Sequence, residues 1–177
     1  PQMRSRAKAV NFGIVYGISD FGLAQNLKIP RATAKEYIET YLEEFSGVKG
    51  YMDDIIAKAQ RDGYVRTMFG RIRYIDELKS SNYNVREFGK RAALNTPVQG
   101  AAADIMKIAT IRAFDAFQKH GLTSKIILQV HDELIVDGVR EEQEQVASIL
   151  KEAMEGAAQL TVPLKVNVSV GQSWEKA

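Results

Sequence analysis

The chain has 177 residues, of which 45% are hydrophobic, enough for one sizeable core or two small subdomains. It has no cysteine, which excludes a disulfide framework and a thiolate metal site, and its formal net charge of +2 does not by itself indicate nucleic-acid binding. No apolar stretch approaches membrane length and no signal peptide is recognisable, so we expect a cytoplasmic protein without a membrane partner.

The first half of the chain predicts three helices. The first runs roughly from Met3 to Tyr16, and Gly17 suits a C-terminal stop. The second begins at Pro30, a residue favoured in a first turn, and ends near Phe45. The third spans about Val48 to Arg61 and stops at Gly63. Helices therefore dominate this half.

The middle of the chain predicts a hairpin and two further helices. Segments 64–68 and 71–75 alternate in polarity around Phe69-Gly70, as a β-hairpin does. Residues 84–95 and 99–119 have helical patterns, and we expect Pro97 to interrupt between them. Basic residues crowd this region, at Arg61, Arg66, Arg71, Arg73, Lys79, Arg86, Lys90 and Arg91.

The last third predicts a second hairpin, a helix and a final strand. Apolar runs 126–128 and 134–136 are typical of buried strands, an acidic helix follows at about 141–158, and residues 164–170 predict a last strand. The order of elements indicates an α+β fold, with helices first and then a small antiparallel sheet backed by helices. The acidic and basic regions together would let the domain bind a polyanion on one side only.

The tip of the second predicted hairpin is unusual. His131, Asp132 and Glu133 stand between the apolar runs, whereas hairpin tips ordinarily use Asn-Gly or Gly-X. Charge on a rigid pair of strands is how a scaffold presents metal ligands. A merely solvated turn is the alternative, and the three residues alone leave both open.

A four-residue repeat marks the first helix: Arg4, Lys8, Phe12 and Tyr16. Each step of four drifts only about 40° around a helix, so the four side chains share one stripe. Two cations followed by two aromatics match the phosphates, sugar and base of a nucleotide. A solvated basic turn followed by two core aromatics is the alternative, which the spacing does not exclude.

Three segments of the chain resemble motifs of the DNA polymerases of family A, the family of bacterial DNA polymerase I, and they follow one another in the same order as in that family. Residues 4–17 are similar to motif B of that family, residues 129–133 to motif C, and residues 95–104 to a third segment between them. The resemblance extends from about Met3 to Trp174. It implies a helical fingers subdomain over residues 1–81 and a partial, C-terminal palm over residues 82–177.

The resemblance also implies roles for the stripe, which we call the nucleotide stripe. Arg4 and Lys8 match residues that hold the triphosphate, and Lys8 is the better candidate to stabilise charge in the transition state or to act as a general acid. Phe12 matches the residue that packs on the incoming sugar. Tyr16 matches the one that guards the templating-base pocket, and Gly13 and Gly17 leave room for close approach.

Further roles follow for the second half of the chain. Asp132 matches a metal ligand, Glu133 the neighbouring carboxylate, and His131 a residue near the primer terminus. The metal implied is Mg²⁺, with two ions in a complete site. DNA-binding residues that match minor-groove contacts near the primer terminus stand four apart, at Arg91, Asn95 and Gln99.

The chain departs from the family pattern in two ways. Ser5 stands where a second arginine is common, and Arg6 lies about 200° away from the stripe. Motif A, with the other metal-binding aspartate, is missing, as are the thumb and any exonuclease domain. Because the chain also starts at Pro1, directly before the stripe, we expect a piece of a longer protein.

The expected function is therefore template-directed DNA synthesis from dNTPs on primer-template DNA by the full-length enzyme. We expect the fragment to be inactive alone, with an incomplete metal site, and to self-associate through an exposed sheet edge. Two alternatives are a non-catalytic nucleic-acid-binding module of the same fold and a fragment of a single-subunit RNA polymerase. Phe12 and Glu133 favour DNA over RNA synthesis.

Overall fold

The structure, a computed structural model, describes residues 2–174. The chain forms two compact units, one up to Ala101 and the other from Ala102 onward. The predicted change from fingers to palm after residue 81 is a functional division, lies earlier in the chain and stays a prediction. In the described part, no helix has the length and apolarity to cross a membrane. Helices with two small antiparallel sheets confirm the α+β class.

Four helices open the first unit: α1 (Gln2–Val15), α2 (Asp20–Leu27), α3 (Arg31–Glu44) and α4 (Ser46–Asp62). The three predicted helices are confirmed as α1, α3 and α4. Helix α2 was not predicted. The sequence feature that marks its start is the N-cap residue Ser19, whose hydroxyl accepts a hydrogen bond from the backbone amide of Gly22.

Helix α1 ends in a tight reversal. The amide of Ile18 donates to the carbonyl of Gly13 at 2.8 Å, and the amide of Gly17 donates to Ile14 at 2.9 Å. Gly17 has a φ of +74°, a left-handed conformation that glycine adopts without a steric penalty. These features form a Schellman motif, so the predicted stop at Gly17 is confirmed.

A hairpin of β1 (Tyr64–Arg66) and β2 (Ile72–Tyr74) follows, as predicted. A short 3₁₀ turn over Asp76–Lys79 leads to the longest helix, α5 (Tyr83–Lys119). The core of this unit is apolar and mostly made of small residues: Ala59, Val65, Ile75, Leu78, Ala92 and Ala93.

The prediction that Pro97 separates two helices is wrong, since α5 runs through it without a break. Proline removes the donor that would bond to the carbonyl of Ala93, and the hydroxyl of Thr96 donates to a different carbonyl, that of Ala92, at 2.6 Å. The helix is buried on both sides of the proline, at Leu94 and Met106. Packing therefore outweighs one lost hydrogen bond.

The second unit contains a hairpin of β3 (Lys125–Val130) and β4 (Glu133–Asp137), and then α6 (Gln143–Glu155). One side of the hairpin packs on the core through Ile126, Leu134 and Val136. The core itself lies between the end of α5 and α6, and consists of Ala113, Phe117, Val146, Ile149, Leu150 and Ala153.

Two predictions for this unit are wrong. Residues 164–170 form no strand in the structure. A strand needs a neighbour to pair its backbone groups, and the described sheets are both two-stranded hairpins. The strands around the tip are also not fully buried, because the side chain of Ile127 is 60% exposed.

Candidate functional site

The nucleotide stripe is presented to solvent along α1. The side chains of Phe12 and Tyr16 are 51% and 40% exposed, whereas Ile14 between them is only 2% exposed. Their rings stack with centroids 6.3 Å apart, and the ammonium nitrogen of Lys8 lies 5.6 Å from the Phe12 centroid. Arg4 is exposed as well. The two aromatics are therefore exposed in this structure and do not belong to its core.

Contacts behind the stripe hold α1 in place. The hydroxyl of Tyr41, on α3, donates to Oδ1 of Asn11 at 2.8 Å. Ile18 folds back over the helix, so that a Cβ on Gly13 would lie 3.1 Å from its Cγ2. The close approach predicted at Gly13 is thus made by the chain's own Ile18.

The end of α1 lies against α5. A Cβ on Gly17 would lie 3.0 Å from Cδ1 of Leu94 and 3.4 Å from Cγ of Arg91. The residue following Tyr16 therefore touches the first of the three predicted DNA-binding residues. The structure brings the end of the stripe and Arg91 together within the first unit.

The three predicted DNA-binding residues share one side of α5 because they are spaced by four. Arg91 and Gln99 are exposed and Asn95 is half-buried. Among the described residues, Oδ1 of Asn95 is a buried side-chain oxygen without a hydrogen-bond partner. An unpaired buried acceptor has a free-energy cost of about 1–3 kcal/mol, which only a hydrogen-bond donor can offset.

The β1–β2 hairpin packs on α5 beside these residues. A guanidinium nitrogen of Arg73 donates to the hydroxyl of Thr96 at 3.2 Å. Gly100 allows the closest approach, since a Cβ there would lie 2.6 Å from Cγ2 of Thr67. The sequence did not predict these contacts between the hairpin and α5, although it showed the cluster of basic residues in the hairpin.

In the second unit, His131 and Asp132 form the two-residue turn between β3 and β4, and Val130 pairs with Glu133. His131 has a φ of +51°, a left-handed conformation that costs a non-glycine residue roughly 1 kcal/mol. Its carbonyl accepts a hydrogen bond of 3.2 Å from the side-chain amide of Gln129. The side chains of all three tip residues are exposed.

The tip does not form a complete metal site by itself. Carboxylate oxygens are the donors that Mg²⁺ prefers, so Asp132 and Glu133 are chemically suitable. No group of three or more His, Cys, Asp or Glu side chains within residues 2–174 is arranged to hold a metal ion. The donor set here fits one side of a magnesium site and needs further ligands from elsewhere.

At the other end of this hairpin lies a hydrogen-bonded group that we call the Ser124 latch, formed by Ser124, Val139 and Glu142. The carboxylate of Glu142 accepts hydrogen bonds from the hydroxyl and the amide of Ser124, at 2.6 and 2.8 Å, and from the amide of Thr123 at 2.9 Å. These bonds lower the pKa of Glu142 to about 2. The hydroxyl of Ser124, which is 3% exposed, accepts from the amide of Val139 at 2.9 Å.

Comparison with known proteins agrees with the motifs. The family model for DNA polymerase family A matches residues 1–176. The chain is 51% identical to DNA polymerase I of Bacillus caldotenax over 177 residues and 52% identical to that of Bacillus subtilis over 175 residues. It covers 20% of each of these relatives.

A solved structure is also similar: the POL domain of Pol1 from M. smegmatis, in complex with DNA primer-template and dNTP. The TM-score is 0.89 and the identity 47%, over 93% of this chain and 29% of that one. The chain thus spans about a fifth of the length of the curated relatives it matches. From the family match across its length, and from the motifs at the stripe and the tip, this chain belongs to DNA polymerase family A.

Proposed function

We propose that the full-length protein containing this chain carries out template-directed DNA synthesis, in which a nucleotide is transferred from a dNTP to a primer 3′-OH. Residues 1–81 act as fingers and residues 82–177 as the C-terminal palm. The observation that carries the proposal is the nucleotide stripe, which is continuous, exposed and ordered from cations to aromatics. The relative solved with DNA primer-template and dNTP supports these two partners.

The stripe would bind the incoming dNTP lengthwise. Arg4 and Lys8 lie one turn apart and repel each other until a polyphosphate lies across them. Lys8 would stabilise the charge that develops on the transferred phosphate and can donate a proton to the leaving group. Phe12 would pack on the sugar, and Tyr16 would border the templating base.

Arg91, Asn95 and Gln99 would contact the minor groove near the primer terminus. Every base pair presents acceptors there, at purine N3 and pyrimidine O2. Donors that read only these acceptors test the geometry of the pair without reading its sequence. The contact between Gly17 and Arg91 supports a common role, because it places this surface at the end of the stripe.

Family A polymerases depend on divalent metal ions. In this chain Asp132 and Glu133 would hold Mg²⁺, and His131 would lie near the primer terminus. Mg²⁺ held there would supply Lewis acidity toward the attacking hydroxyl and positive charge against the phosphates. The tip alone has too few ligands, and the isolated chain should be inactive. We place the protein in the bacterial cytoplasm, associated with the nucleoid.

The experiment is primer extension by the full-length protein with Mg²⁺ and dNTPs, compared with Lys8→Ala and Asp132→Ala variants. Lys35→Ala is the matched control, since Lys35 is an exposed lysine on α3 that forms an ion pair with Glu39, at 3.6 Å. We expect Lys8→Ala to slow single-turnover incorporation, because the lost contact removes roughly several kcal/mol of transition-state stabilisation. Extension should be lost for Asp132→Ala and unchanged for the control.

An unchanged rate for Lys8→Ala would show that the stripe does not bind the reacting phosphate. Extension that prefers ribonucleotides would favour an RNA polymerase, and binding without extension would favour a non-catalytic module. The 177-residue chain tested alone should not extend a primer. Template-dependent synthesis by that fragment would show that it holds a complete metal site.

A further inference from the structure

The hairpin that carries Asp132 contains an irregularity between its tip and its base. Near the tip the strands pair regularly, at Val130 with Glu133, Gln129 with Leu134 and Leu128 with Ile135. Ile126 then pairs with Val136, so Ile127 is an extra residue in β3, a β-bulge. Ile126 faces the core of the unit, while Ile127 is 60% exposed.

The apolar pattern does not choose between this register and a regular one. A hairpin continued without the bulge would place Ile127 opposite Val136 and turn it toward the core in place of Ile126. An isoleucine faces the core in either case, so burial of apolar area is nearly the same. Something outside the strand pattern must therefore select the bulge.

The Ser124 latch is the group that distinguishes the two registers. Sliding the base of β3 by one residue moves Ser124 by about 3.3 Å and turns its side chain to the opposite face. Its hydroxyl would then reach neither the amide of Val139 nor the carboxylate of Glu142. The slipped register would therefore lose the hydrogen bonds that the hydroxyl of the buried Ser124 makes in this structure. Only the bulged register keeps the latch closed.

We propose that Ser124 and Glu142 are positioning residues for Asp132: the latch holds the bulge, and the bulge sets the direction in which β3 delivers the tip. A bulge bends and twists its strand, and its loss would re-aim the side chains beyond it. The register next to the turn is the same with or without the bulge, so the tip would remain folded but displaced. This inference rests on the proposed role of Asp132.

The test uses the full-length protein with Ser124→Ala, which removes both hydrogen bonds of the hydroxyl, and Glu142→Gln, which removes the charge of the acceptor, two independent ways to weaken the latch. We expect kcat to fall roughly ten- to hundredfold, as for a reacting group displaced by about 1 Å. The KM for dNTP should change little, because the stripe lies in the other unit, and the Mg²⁺ concentration for half-maximal rate should rise. Amide hydrogen exchange of peptides over residues 123–137 should accelerate.

A matched control and a rescue separate positioning from stability. Arg112→Ala removes a hydrogen bond from Arg112 to the carbonyl of Gly156, at the far end of α6, and should lower stability without lowering kcat. Ile127→Lys disfavours the slipped register, which would bury the lysine, and is tolerated in the bulged register, where residue 127 is exposed. The double variant Ser124→Ala/Ile127→Lys should therefore recover most of the lost kcat.

The outcomes are distinct. If opening the latch lowers only the unfolding temperature, as in the Arg112 control, or if Ile127→Lys fails to restore kcat, the inference is overturned while the proposed function stands. Full activity of Asp132→Ala would instead overturn the proposed role of the tip. The exchange data would then decide by themselves whether the latch selects the register.

Discussion

The hydroxyl of Tyr41 on α3 donates a 2.8 Å hydrogen bond to Oδ1 of Asn11 on α1, one residue before Phe12 of the nucleotide stripe. The two residues are 30 positions apart in the chain, so the bond is a tertiary tie between the two helices. Asn11 lies beside the stripe, and its side chain is thus occupied by the protein itself. The bond limits rotation of α1 about its own axis. Such a rotation would change the direction in which the side chains of the nucleotide stripe point.

Removal of that hydroxyl gives the first prediction. Tyr41→Phe should lower the free energy of unfolding by about 0.5–1.5 kcal/mol, the usual net contribution of one hydrogen bond. It should also raise the KM for dNTP, since α1 becomes less fixed. Tyr37→Phe, on the same helix, is the matched control for denaturant unfolding and steady-state kinetics. Equal behaviour of both variants would mean that the tie does not restrain α1.

The second prediction concerns Gly17. Gly17→Ala should destabilise the protein by roughly 1–2 kcal/mol or more, because alanine is strained at a φ of +74° and its Cβ would lie 3.0 Å from Leu94. Gly50→Ala is the opposite case, since Gly50 lies inside α4 with nothing within 4 Å of an added Cβ. That change should stabilise by about 0.5–1 kcal/mol. Urea unfolding measures whether the free energy of unfolding falls in Gly17→Ala and rises in Gly50→Ala.

The third prediction is a pH dependence that arises from Glu142. Its pKa is lowered from 4.5 to about 2 in the folded protein by hydrogen bonds from Ser124 and Thr123. The folded state therefore binds fewer protons, and the stabilisation is fully present above pH 4.5 and lost as the pH falls toward 2. The free energy of unfolding of Glu142→Gln should lack this component. If the free energy of unfolding depends on pH in the same way in wild type and variant between pH 2 and 4.5, the prediction is wrong.

The fourth prediction concerns Phe12, whose ring is exposed on the stripe and lacks the hydroxyl that a tyrosine would have. The 3′-OH of a bound dNTP would fill the space beside the ring and bond to the nucleotide's own phosphate. A dideoxynucleotide leaves that acceptor unpaired at a cost of about 1–3 kcal/mol, so the full-length enzyme should discriminate against it. Phe12→Tyr supplies a hydroxyl and should remove most of the discrimination.

The measurement is the ratio of kcat/KM for dideoxy and deoxy substrates in wild type and variant. Incorporation of normal dNTPs should change little, which serves as the internal control. A ratio that does not move would mean that Phe12 does not face the sugar. The assignment of the stripe from phosphate to base would then be wrong.

The fifth prediction is that the 177-residue chain self-associates. Both strands of the β3–β4 sheet have free edges, and Val170 in the segment after α6 is 62% exposed. Unpaired edges beside apolar side chains tend to pair with another copy. Sedimentation velocity at roughly tens of micromolar should show dimers or larger species. A single monomeric boundary at that concentration would disprove it.

The sequence predicted those features that depend on short-range spacing. A repeat of four placed Arg4 to Tyr16 on one side of α1, alternation located the first hairpin, and apolar runs located the second. The helix break at Pro97 was wrong because a local rule competes with burial at Leu94 and Met106. The predicted strand 164–170 was wrong because a strand exists only with a neighbour, which alternation alone cannot supply.

Long-range contacts were the other source of error. Glu142 lies 18 residues from Ser124, so nothing in the pattern of either segment signals their bond. The same holds for the contact between Gly17 and Leu94, which a glycine at a helix end does not by itself announce. For the site, the sequence supplied the candidate side chains. It did not predict the contacts that hold them there.

The left-handed backbone of His131 restricts which exchanges the tip can accept in directed evolution. Glycine and asparagine adopt a φ near +51° most readily, so a library at this position should be enriched in them under selection for folding. Valine, isoleucine and threonine should be depleted even under selection for folding alone, because branching at Cβ is least compatible with that conformation. The diversity available beside Asp132 is therefore limited by backbone geometry before any chemistry is selected.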